Sequence, residues 1–417
     1  MKKTILLLLR HLCGLIYSSN KHVVSTRFLI DPTTRRGPEA LLLGTMVVGV
    51  HVNGRGGPMC SRAFLTLVGL ISLACFYTIA KFSQKLGYGF RAKERLLAKP
   101  YSWETVAQNL TRGLPSRFQA NLQLYLDRGE CTVPQLIHQT WKSEKIPKRY
   151  AKYVASWLRV NRDWKYSFTT NEMNRELIAK RFPEFLKIYD GYRSDIQRAD
   201  FVRYFLLYEF GGVYADIDFE ALKPLQGALA GHSCIVGQEP YEHAHVLYDL
   251  RRLICNAVMV SCRHHPFWLA VFQELIVRKE IKTVRATGPK MLSAALEQYE
   301  SLQAAVENNQ HSSKGMPVLP KVHIPRPSQF YPFFDETNVN HRLICAKSLQ
   351  TASARRRKAC KHLRANHFRN NKTALQEAVA VHHWAHTWHR VKEISPLVEA
   401  IDTIVENEDA KRVFIQG

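Results

Sequence analysis

A change of hydrophobic period between residues 195 and 225 constrains the fold of this chain more than any other feature. Apolar residues first recur at helical intervals, from Ile196 to Phe210. The pair Gly211-Gly212 then predicts the end of the helix. Beyond it the pattern alternates with a period of two, which predicts a strand. One strand face carries Val213, Ala215, Ile217 and Phe219, and the other carries Tyr214, Asp216, Asp218 and Glu220.

This alternation has a chemical consequence for two acidic residues. Asp216 and Asp218 are predicted on one face of the strand end, about 6–7 Å apart along it. Two carboxylates there can hold Mn²⁺ or Mg²⁺, directly or through water. Such a cation bridges the two phosphates of a nucleotide and helps the diphosphate leave. The tripeptide D-x-D also occurs on solvated strand edges, but here Asp200 and Arg203 share a face of the preceding helix.

The chain before this stretch alternates strands with helices. Strands are predicted at 133–141 and 164–168. Helices are predicted at 150–160, 173–182 and 185–189. This order predicts an α/β fold with parallel strands.

These motifs give the chain a resemblance to glycosyltransferase family 32 over about residues 133–390. Residues 133–141, VPQLIHQTW, are similar to the family's opening I-P-K-I-I-H-Q-T-W, and 195–225 resembles its DXD sugar-binding region. Later matches are Asn256-Ala257, His265-Pro266-Phe267, Thr287-Gly288-Pro289 and VHHWAHTW at 381–388. The family includes initiating α-1,6-mannosyltransferases, inositolphosphoceramide mannosyltransferases and animal α-1,4-galactosyl/N-acetylglucosaminyltransferases. The resemblance implies a GT-A fold with a central, mostly parallel sheet, a nucleotide-sugar donor, a divalent metal and retention of anomeric configuration.

The resemblance also implies roles for individual residues. The implied catalytic residues are Asp200, Arg203, Asp216 and Asp218. The implied substrate-binding residues are His138, Thr140, Trp141, Tyr214, Asn256, His382 and Trp388. The implied metal ligands are Asp216, Asp218 and His382, with Mn²⁺ or Mg²⁺ as the ion. Structural interpretations stay open for five elements: core packing of Trp141 and Trp388, an Asp200–Arg203 ion pair, a buried Asn256 amide and a helix cap at Thr287-Gly288-Pro289.

The closing motif departs from the family pattern H-H-W-A-G-S-W. His386 and Thr387 stand where Gly and Ser are usual, so the local backbone is in doubt. On a helix, His382 and His386 would share a face and could bind zinc, so a His-metal hydrolase is an alternative. The motif H-E-x-x-H is missing. A second alternative is a catalytically inactive glycosyltransferase-like binding protein, against which the intact acidic pair argues.

The N-terminal hundred residues predict a membrane anchor. Residues 63–80 form an eighteen-residue run without charge, which is long enough to cross a bilayer as a helix. Met59 directly precedes this region, so residues 1–58 are interpreted as an upstream extension if translation begins there. Two sequons follow the run, at Asn109 and Asn371, and favour a lumenal body. Six cysteines after the run allow three disulfides in fifteen pairings: Cys131, Cys234, Cys255, Cys262, Cys345 and Cys360.

The net charge of +24 is concentrated in two segments. Residues 1–100 carry 15 Lys/Arg and 3 Asp/Glu, and residues 342–372 carry 10 Lys/Arg and no acid. The remainder is near +2, so the charge gives no reason to expect nucleic acid as a partner. The basic segment 342–372 is interpreted as a solvated loop, with acidic lipid or substrate contact as the alternative.

The sequence therefore predicts a single-pass type II Golgi membrane enzyme with a lumenal catalytic domain. The predicted parts are a cytoplasmic segment 1–62, an anchor 63–80, a stem 81–130, a GT-A domain 131–395 with the basic insert, and a tail 396–417. The predicted reaction transfers a hexose, with mannose favoured over galactose or N-acetylglucosamine, from GDP-mannose or a UDP-hexose. The acceptor would be a glycan or a glycosphingolipid.

Overall fold

The computed structural model describes residues 102–129, 131–281, 283–310, 317–347, 349–385 and 398–414. Its strands are β1 Leu136–Thr140, β2 Lys145–Pro147, β3 Lys165–Thr169, β4 Gly212–Ala215, β5 Phe219–Ala221, β6 Cys234–Gln238, β7 Ile254–Ser261, β8 Ala380–His382, β9 Val398–Ala400 and β10 Lys411–Arg412. The first α-helices are α1 Trp103–Thr111, α2 Ser116–Arg128, α3 Lys148–Val160, α4 Asn171–Arg181, α5 Pro183–Gly191 and α6 Asp195–Phe210.

The later helices are α7 Gln226–Leu229, α8 Phe267–Val277, α9 Pro289–Gln310, α10 Pro327–Phe330, α11 Asn340–Ala346, α12 Ala354–Ala365 and α13 Ile401–Asn407. A π-helical turn spans His243–Leu247, and 3₁₀ turns span Val284–Ala286 and Lys372–Gln376. The predicted strands and helices before residue 215 are therefore present, with shifts of a few residues at their ends.

The central sheet is mixed, with the strand order β10-β3-β1-β4-β7-β6 in the described residues. The pairings β10–β3, β3–β1 and β1–β4 are parallel, whereas β4–β7 and β7–β6 are antiparallel. Two small antiparallel sheets, β2–β9 and β5–β8, lie outside it. The α/β class is confirmed.

Side chains alternate across the sheet into two apolar layers. Met259 of β7 packs with the layer formed mainly by α6, α8 and α9, whereas Val258 and Val260 pack on the side of α3. Helix α6 lies in the first layer and is buried from Asp200 to Tyr208, so it needs no polar face. Asp200 and Arg203 therefore lie in the packed part of α6.

The helix-to-strand junction requires glycine. Gly211 and Gly212 have φ of 66° and 95°, in the left-handed region. A Cβ atom on Gly212 would lie 2.3 Å from the Leu136 carbonyl oxygen. Only glycine therefore allows β4 to pair closely with β1 immediately after α6 ends.

The folded unit is larger than the sequence indicates. Part of the predicted stem forms α1 and α2, whose Val106, Leu110 and Phe118 are buried in the first layer. The predicted tail contributes β10 to the edge of the central sheet and α13 to the second layer. Apolar residues do recur at helical spacing in α1, but this pattern does not show which part of the fold a short helix packs against.

Two further expectations change. The basic segment is not a loop, because it folds into α11 and α12, joined by a disulfide between Cys345 and Cys360. A second disulfide joins Cys131 to Cys262, while Cys234 and Cys255 are free and buried.

Within the described ranges, no helix has the length and apolar character to cross a membrane, and the predicted anchor 63–80 lies outside them.

Candidate active site

The acidic pair lies in a turn rather than on a continuous strand. Strand β4 pairs with β1 and β7 only as far as Ala215, whereas Phe219 already pairs with β8 in another sheet. The chain must change direction between these sheets, and a hydrogen bond from Phe219 N to Asp216 O closes the turn. The prediction of a common strand face for Asp216 and Asp218 was therefore wrong, although both carboxylates reach the same site.

The turn and the neighbouring strand bring three potential metal ligands together. One ligand atom each from Asp216, Asp218 and His382 lies within 4.8 Å of the others. His382 reaches this position because β8 pairs antiparallel with β5, which places it opposite Phe219. The three side chains are 29%, 14% and 10% exposed, so the cluster is accessible but mostly enclosed. Two carboxylates and one imidazole are a ligand set that can hold a divalent metal ion.

Asp218 and His382 also form an ion pair. The Nε2 atom of His382 lies 3.2 Å from Asp218 Oδ1, and the Ala385 backbone N–H donates to Asp218 Oδ2 at 3.0 Å. Burial alone would raise the pKa of Asp218, but His382 and the Ala385 hydrogen bond lower it to about 2. Burial would lower the pKa of His382, but Asp218 outweighs burial and raises it. The other ring nitrogen, Nδ1, is buried without a partner among the described residues.

A buried arginine connects this cluster to helix α6. Arg203 Nη1 lies 3.0 Å from Asp216 Oδ1, and its Nη2 lies 3.3 Å from Asp200 Oδ1. Arg203 also donates to the Asn256 carbonyl oxygen at 2.8 Å, and its guanidinium lies 4.6 Å from the centre of the Tyr214 ring. The side chain is only 3% exposed, so its charge depends on these partners.

The electrostatics of the two carboxylates follow from this arrangement. Burial raises the pKa of Asp200 and of Asp216, and Arg203 opposes the rise in both cases. Burial disfavours the charge of Arg203, but Asp216, Tyr214 and Asp200 together raise its pKa. The site therefore holds one fixed positive charge, the Arg203 guanidinium, between the carboxylates of Asp200 and Asp216.

Asn256 and Thr287 complete the cage around Asp200. The Asn256 amide donates to Asp200 Oδ1 at 2.8 Å and to the Tyr204 hydroxyl at 3.0 Å. The Thr287 hydroxyl donates to Asp200 Oδ2 at 3.0 Å. A Cβ atom on Gly288 would lie 3.3 Å from Asp200 Oδ2. Thr287-Gly288 therefore does more than cap a helix, and the sequence motif around it was the available signal.

Tyr214 and Gln139 hold the acidic turn in place. The Tyr214 hydroxyl donates to Asp216 Oδ1 at 2.8 Å. The Gln139 amide donates to the Asp216 carbonyl oxygen at 3.2 Å and its own oxygen accepts from Tyr166 at 3.0 Å. Gln139 was missed by sequence reasoning although it stands inside the HQTW motif, because its chemistry becomes visible only when β1 lies beside β4.

Two further predicted residues, His138 and Thr140 of β1, are structural rather than open to a ligand, whereas Trp141 directly after β1 is partly exposed. His138 is fully buried, its Nε2 contacts the Gly211 carbonyl oxygen at 2.8 Å, and burial lowers its pKa to about 4. Thr140 is held by hydrogen bonds with Asn174 and Thr169. Trp141 is half-buried and packs edge-to-face on Tyr150, with its indole nitrogen unpartnered among the described residues.

A second buried group was also missed. The His243 Nε2 atom accepts from the Asp335 backbone N–H at 2.9 Å, which leaves Nδ1 to donate to Glu239 Oε2 at 2.8 Å. The ring of Trp384 lies 4.6 Å from that of His243 and 4.2 Å from that of His382. Trp384 therefore packs between His243 and His382, and places Glu239 and His243 near the cluster of Asp216, Asp218 and His382.

The histidine-rich closing segment begins as a strand rather than as a helix. His382 ends strand β8, and His383 turns away to contact Glu220 Oε2 at 2.8 Å. His382 does not lie on a helix, because strand pairing with β5 sets its backbone, so the helical arrangement behind the His-metal alternative does not apply to it. His386 and Trp388 lie outside the described residues.

Comparison with known proteins matches this part of the chain to one family. Residues 147–236 match the family described as a glycosyltransferase sugar-binding region containing a DXD motif. This range includes Asp200, Arg203 and the acidic turn, whereas Asn256, Thr287 and His382 follow it.

Several curated proteins are similar to the chain. Inositol phosphoceramide mannosyltransferase 2 of Schizosaccharomyces pombe is 32% identical over 46% of this chain and 56% of its own length. Mannosyl phosphorylinositol ceramide synthase SUR1 of Saccharomyces cerevisiae is 32% identical over 40% and 43%. The initiation-specific alpha-1,6-mannosyltransferase of Candida albicans is 36% identical over 29% and 33%. The chain thus spans about half or less of the length of these relatives.

Among solved structures, the PaToxG glycosyltransferase matches 50% of this chain and 86% of its own at 14% identity and a TM-score of 0.33. Residues 147–236 of this chain are similar to the glycosyltransferase family that is described by a sugar-binding region with a DXD motif.

Proposed function

We propose that this protein is a metal-dependent glycosyltransferase of GT-A type, which moves mannose from a nucleotide sugar to a glycolipid acceptor. The observation that carries the proposal is the convergence of Asp216, Asp218 and His382 within 4.8 Å, beside buried Arg203. The curated relatives named as mannosyltransferases support mannose over galactose or N-acetylglucosamine, and those named for inositol phosphoceramide support a sphingolipid acceptor.

In this proposal the three ligands hold Mn²⁺ or Mg²⁺, which stabilises the charge of the departing diphosphate when bound. Arg203 adds a fixed positive charge at the same side of the site and needs no reorganisation during the reaction. Asp200 and Tyr214 orient Arg203 and Asp216. Trp141, half-buried at the end of β1, offers an aromatic face for the nucleotide base.

The reaction is proposed to retain anomeric configuration by attack on the same face of the sugar. The bond between the anomeric carbon and the diphosphate oxygen breaks, and the acceptor hydroxyl oxygen bonds to that carbon. The hydroxyl proton passes to the departing phosphate. A covalent nucleophile is not favoured, because both oxygens of Asp200 already accept hydrogen bonds and Glu239 Oε2 is held by His243. A trapped glycosyl-enzyme would contradict this step.

The proposed location is the Golgi membrane, with a type II orientation and a lumenal catalytic domain. Two disulfides in the described residues support an oxidising compartment. The names of the relatives support a membrane lipid as the acceptor.

The test uses the full chain in detergent with Mn²⁺ and a panel of GDP-mannose, UDP-galactose and UDP-N-acetylglucosamine. We expect turnover of GDP-mannose, and a loss of at least about 100-fold in Asp218→Asn. Glu220→Gln is the matched control, because Glu220 stands two residues away but contacts His383 instead. Its activity should stay close to that of the unmodified chain.

Two outcomes would contradict the proposal. Absence of turnover with every donor would favour an inactive binding protein. Hydrolytic activity that survives Asp218→Asn but disappears in His382→Gln would favour a His-metal hydrolase.

A further inference from the structure

Helix α12 carries a cluster of positive charges on an ordered, packed surface. Residues 342–372 contain 10 Lys/Arg and no Asp/Glu. Ala359, Cys360 and Leu363 of α12 are buried in a small apolar cluster with Val246, Phe334 and Cys345. The Cys345–Cys360 disulfide joins α11 to α12. The charged face is therefore held in one orientation, unlike that of a solvated loop.

The outer face of α12 carries uncompensated charge. Arg357, Lys358, Lys361 and Arg364 are all exposed. Their spacing places them along one side of the helix. Among the described residues none of the four lies within ion-pair distance of an acid, whereas neighbouring Arg369 pairs with Glu336 at 2.9 Å. Arg357 and Arg364 contact only backbone carbonyl oxygens, of Ala352 and Cys345.

Helix α12 packs beside a segment that adjoins the candidate active site. His362 on α12 is 3.8 Å from Glu242, and Arg356 donates to the His245 carbonyl oxygen at 3.3 Å. Glu242 and His245 belong to the segment 239–245, which also contains Glu239 and His243. Trp384 connects His243 to His382. These contacts fix α12 beside that segment, and the four basic residues lie on a different part of the helix surface.

We propose that the outer face of α12 docks on the anionic surface of a lipid bilayer. Clusters of basic residues bind such surfaces because each added Lys or Arg strengthens the attraction. A nucleic-acid partner is disfavoured, because the two disulfides indicate an oxidising compartment. The proposal rests on the proposed function in one respect: in the lumen the negative charge would come from the phosphate of an acceptor lipid of the inositol phosphoceramide type.

The test measures lysine protection on the full chain in lipid nanodiscs. One set contains phosphatidylcholine alone, and the other contains phosphatidylcholine and phosphatidylinositol in equal amounts. Acylation rates are read by mass spectrometry at Lys358 and Lys361, with exposed Lys187 and Lys279 of the same molecule as internal controls. We expect acylation of Lys358 and Lys361 to slow about fivefold only in the anionic discs, and protection to disappear at high salt.

A matched pair of variants tests the charge itself. The triple variant Arg357→Gln, Lys358→Gln and Lys361→Gln should lower transfer to a lipid acceptor in anionic discs by about 10- to 100-fold, with no change toward a soluble sugar acceptor. The control Arg162→Gln, Lys187→Gln and Lys279→Gln removes the same charge from exposed positions elsewhere and should have no such effect.

Equal protection in both disc types, or none in either, would overturn the proposal. Protection by soluble inositol phosphate without lipid would also overturn it and assign a free phosphate site instead. The lysine readout needs no donor and no turnover. Failure of the proposed transferase activity therefore leaves this result intact, and a negative lysine result leaves the transferase proposal intact.

Discussion

His382 at the end of β8 forms an ion pair with Asp218 in the turn before β5, with His382 Nε2 3.2 Å from Asp218 Oδ1. The pairing raises the pKa of His382 above its ordinary value of 6.5 and lowers that of Asp218 from 3.8 to about 2. A raised histidine pKa contributes stability below 6.5 that is lost as pH rises through the folded-state value. A lowered carboxyl pKa contributes stability above 3.8 that is lost as pH falls through about 2.

In protein from which a chelator has removed any metal, we therefore expect His382→Gln to lower the free energy of unfolding most between about pH 4 and 6.5. The loss should become progressively smaller at higher pH. The measurement is the free energy of unfolding in urea across pH, with and without the substitution. His383→Gln is the matched control, since His383 contacts Glu220 on the other side. A His382 effect that grew above pH 7 would contradict the ion pair.

Substitution of Arg203 should strongly reduce both the stability of the protein and its turnover. Arg203→Met leaves Asp200 and Asp216 buried beside each other without their cation, which should cost about 3–5 kcal/mol of unfolding free energy. Arg203→Lys keeps the charge but not the bridging geometry, and should lose at least about 100-fold in kcat. Chemical denaturation and donor turnover measure the two effects. Wild-type kcat in the lysine variant would show that charge alone suffices.

Thr287→Val tests the cage around Asp200. The substitution keeps the shape but removes a hydrogen bond to a carboxylate, and should cost about 1.5–3 kcal/mol. Thr283→Val is the control, because Thr283 is exposed and caps only a short turn. Its cost should remain within about 0.5 kcal/mol. Equal costs in thermal or urea unfolding would remove Thr287 from the site.

The cysteines give a direct chemical test of the fold. Peptide mapping without reduction should recover the Cys131–Cys262 and Cys345–Cys360 pairs. Burial raises the pKa of the Cys234 and Cys255 thiols, so both should react with iodoacetamide only after denaturation. Labelling of either thiol in the native protein, or a bridge between them, would contradict the described core.

The two sequons should behave differently in a secretory compartment. Asn371 is exposed at a turn, whereas Asn109 lies inside α1, where the Thr111 hydroxyl donates to the Ala107 carbonyl oxygen. Surface loops accept glycans. The mass decrease after deglycosylation should disappear in Asn371→Gln and persist in Asn109→Gln. The reverse pattern would place the helix assignment in doubt, and no glycan in either case would argue against the lumenal location.

Periodicity was sufficient for the parts of the fold that are locally consistent. Helix α6, its glycine stop and strand β4 were predicted because each has the residue pattern that its backbone requires. The packing of α1 and α2 and the pairing of β10 could not be predicted, since a short segment with few apolar residues reveals nothing about its partner. His138 illustrates the same limit: its motif indicated a ligand contact, but the strand buries it against Gly211.

The sequence by itself determined the α/β class, the acidic pair and the Asp200–Arg203 face, because all three depend on spacing along one segment. Only the tertiary structure decided that Asp216 and Asp218 lie in a turn, that Thr287 and Asn256 enclose Asp200, and that α12 lies beside His243. These relationships join residues far apart in the chain. Sheet pairing and helix packing set them, and no local pattern encodes which strand will lie beside which.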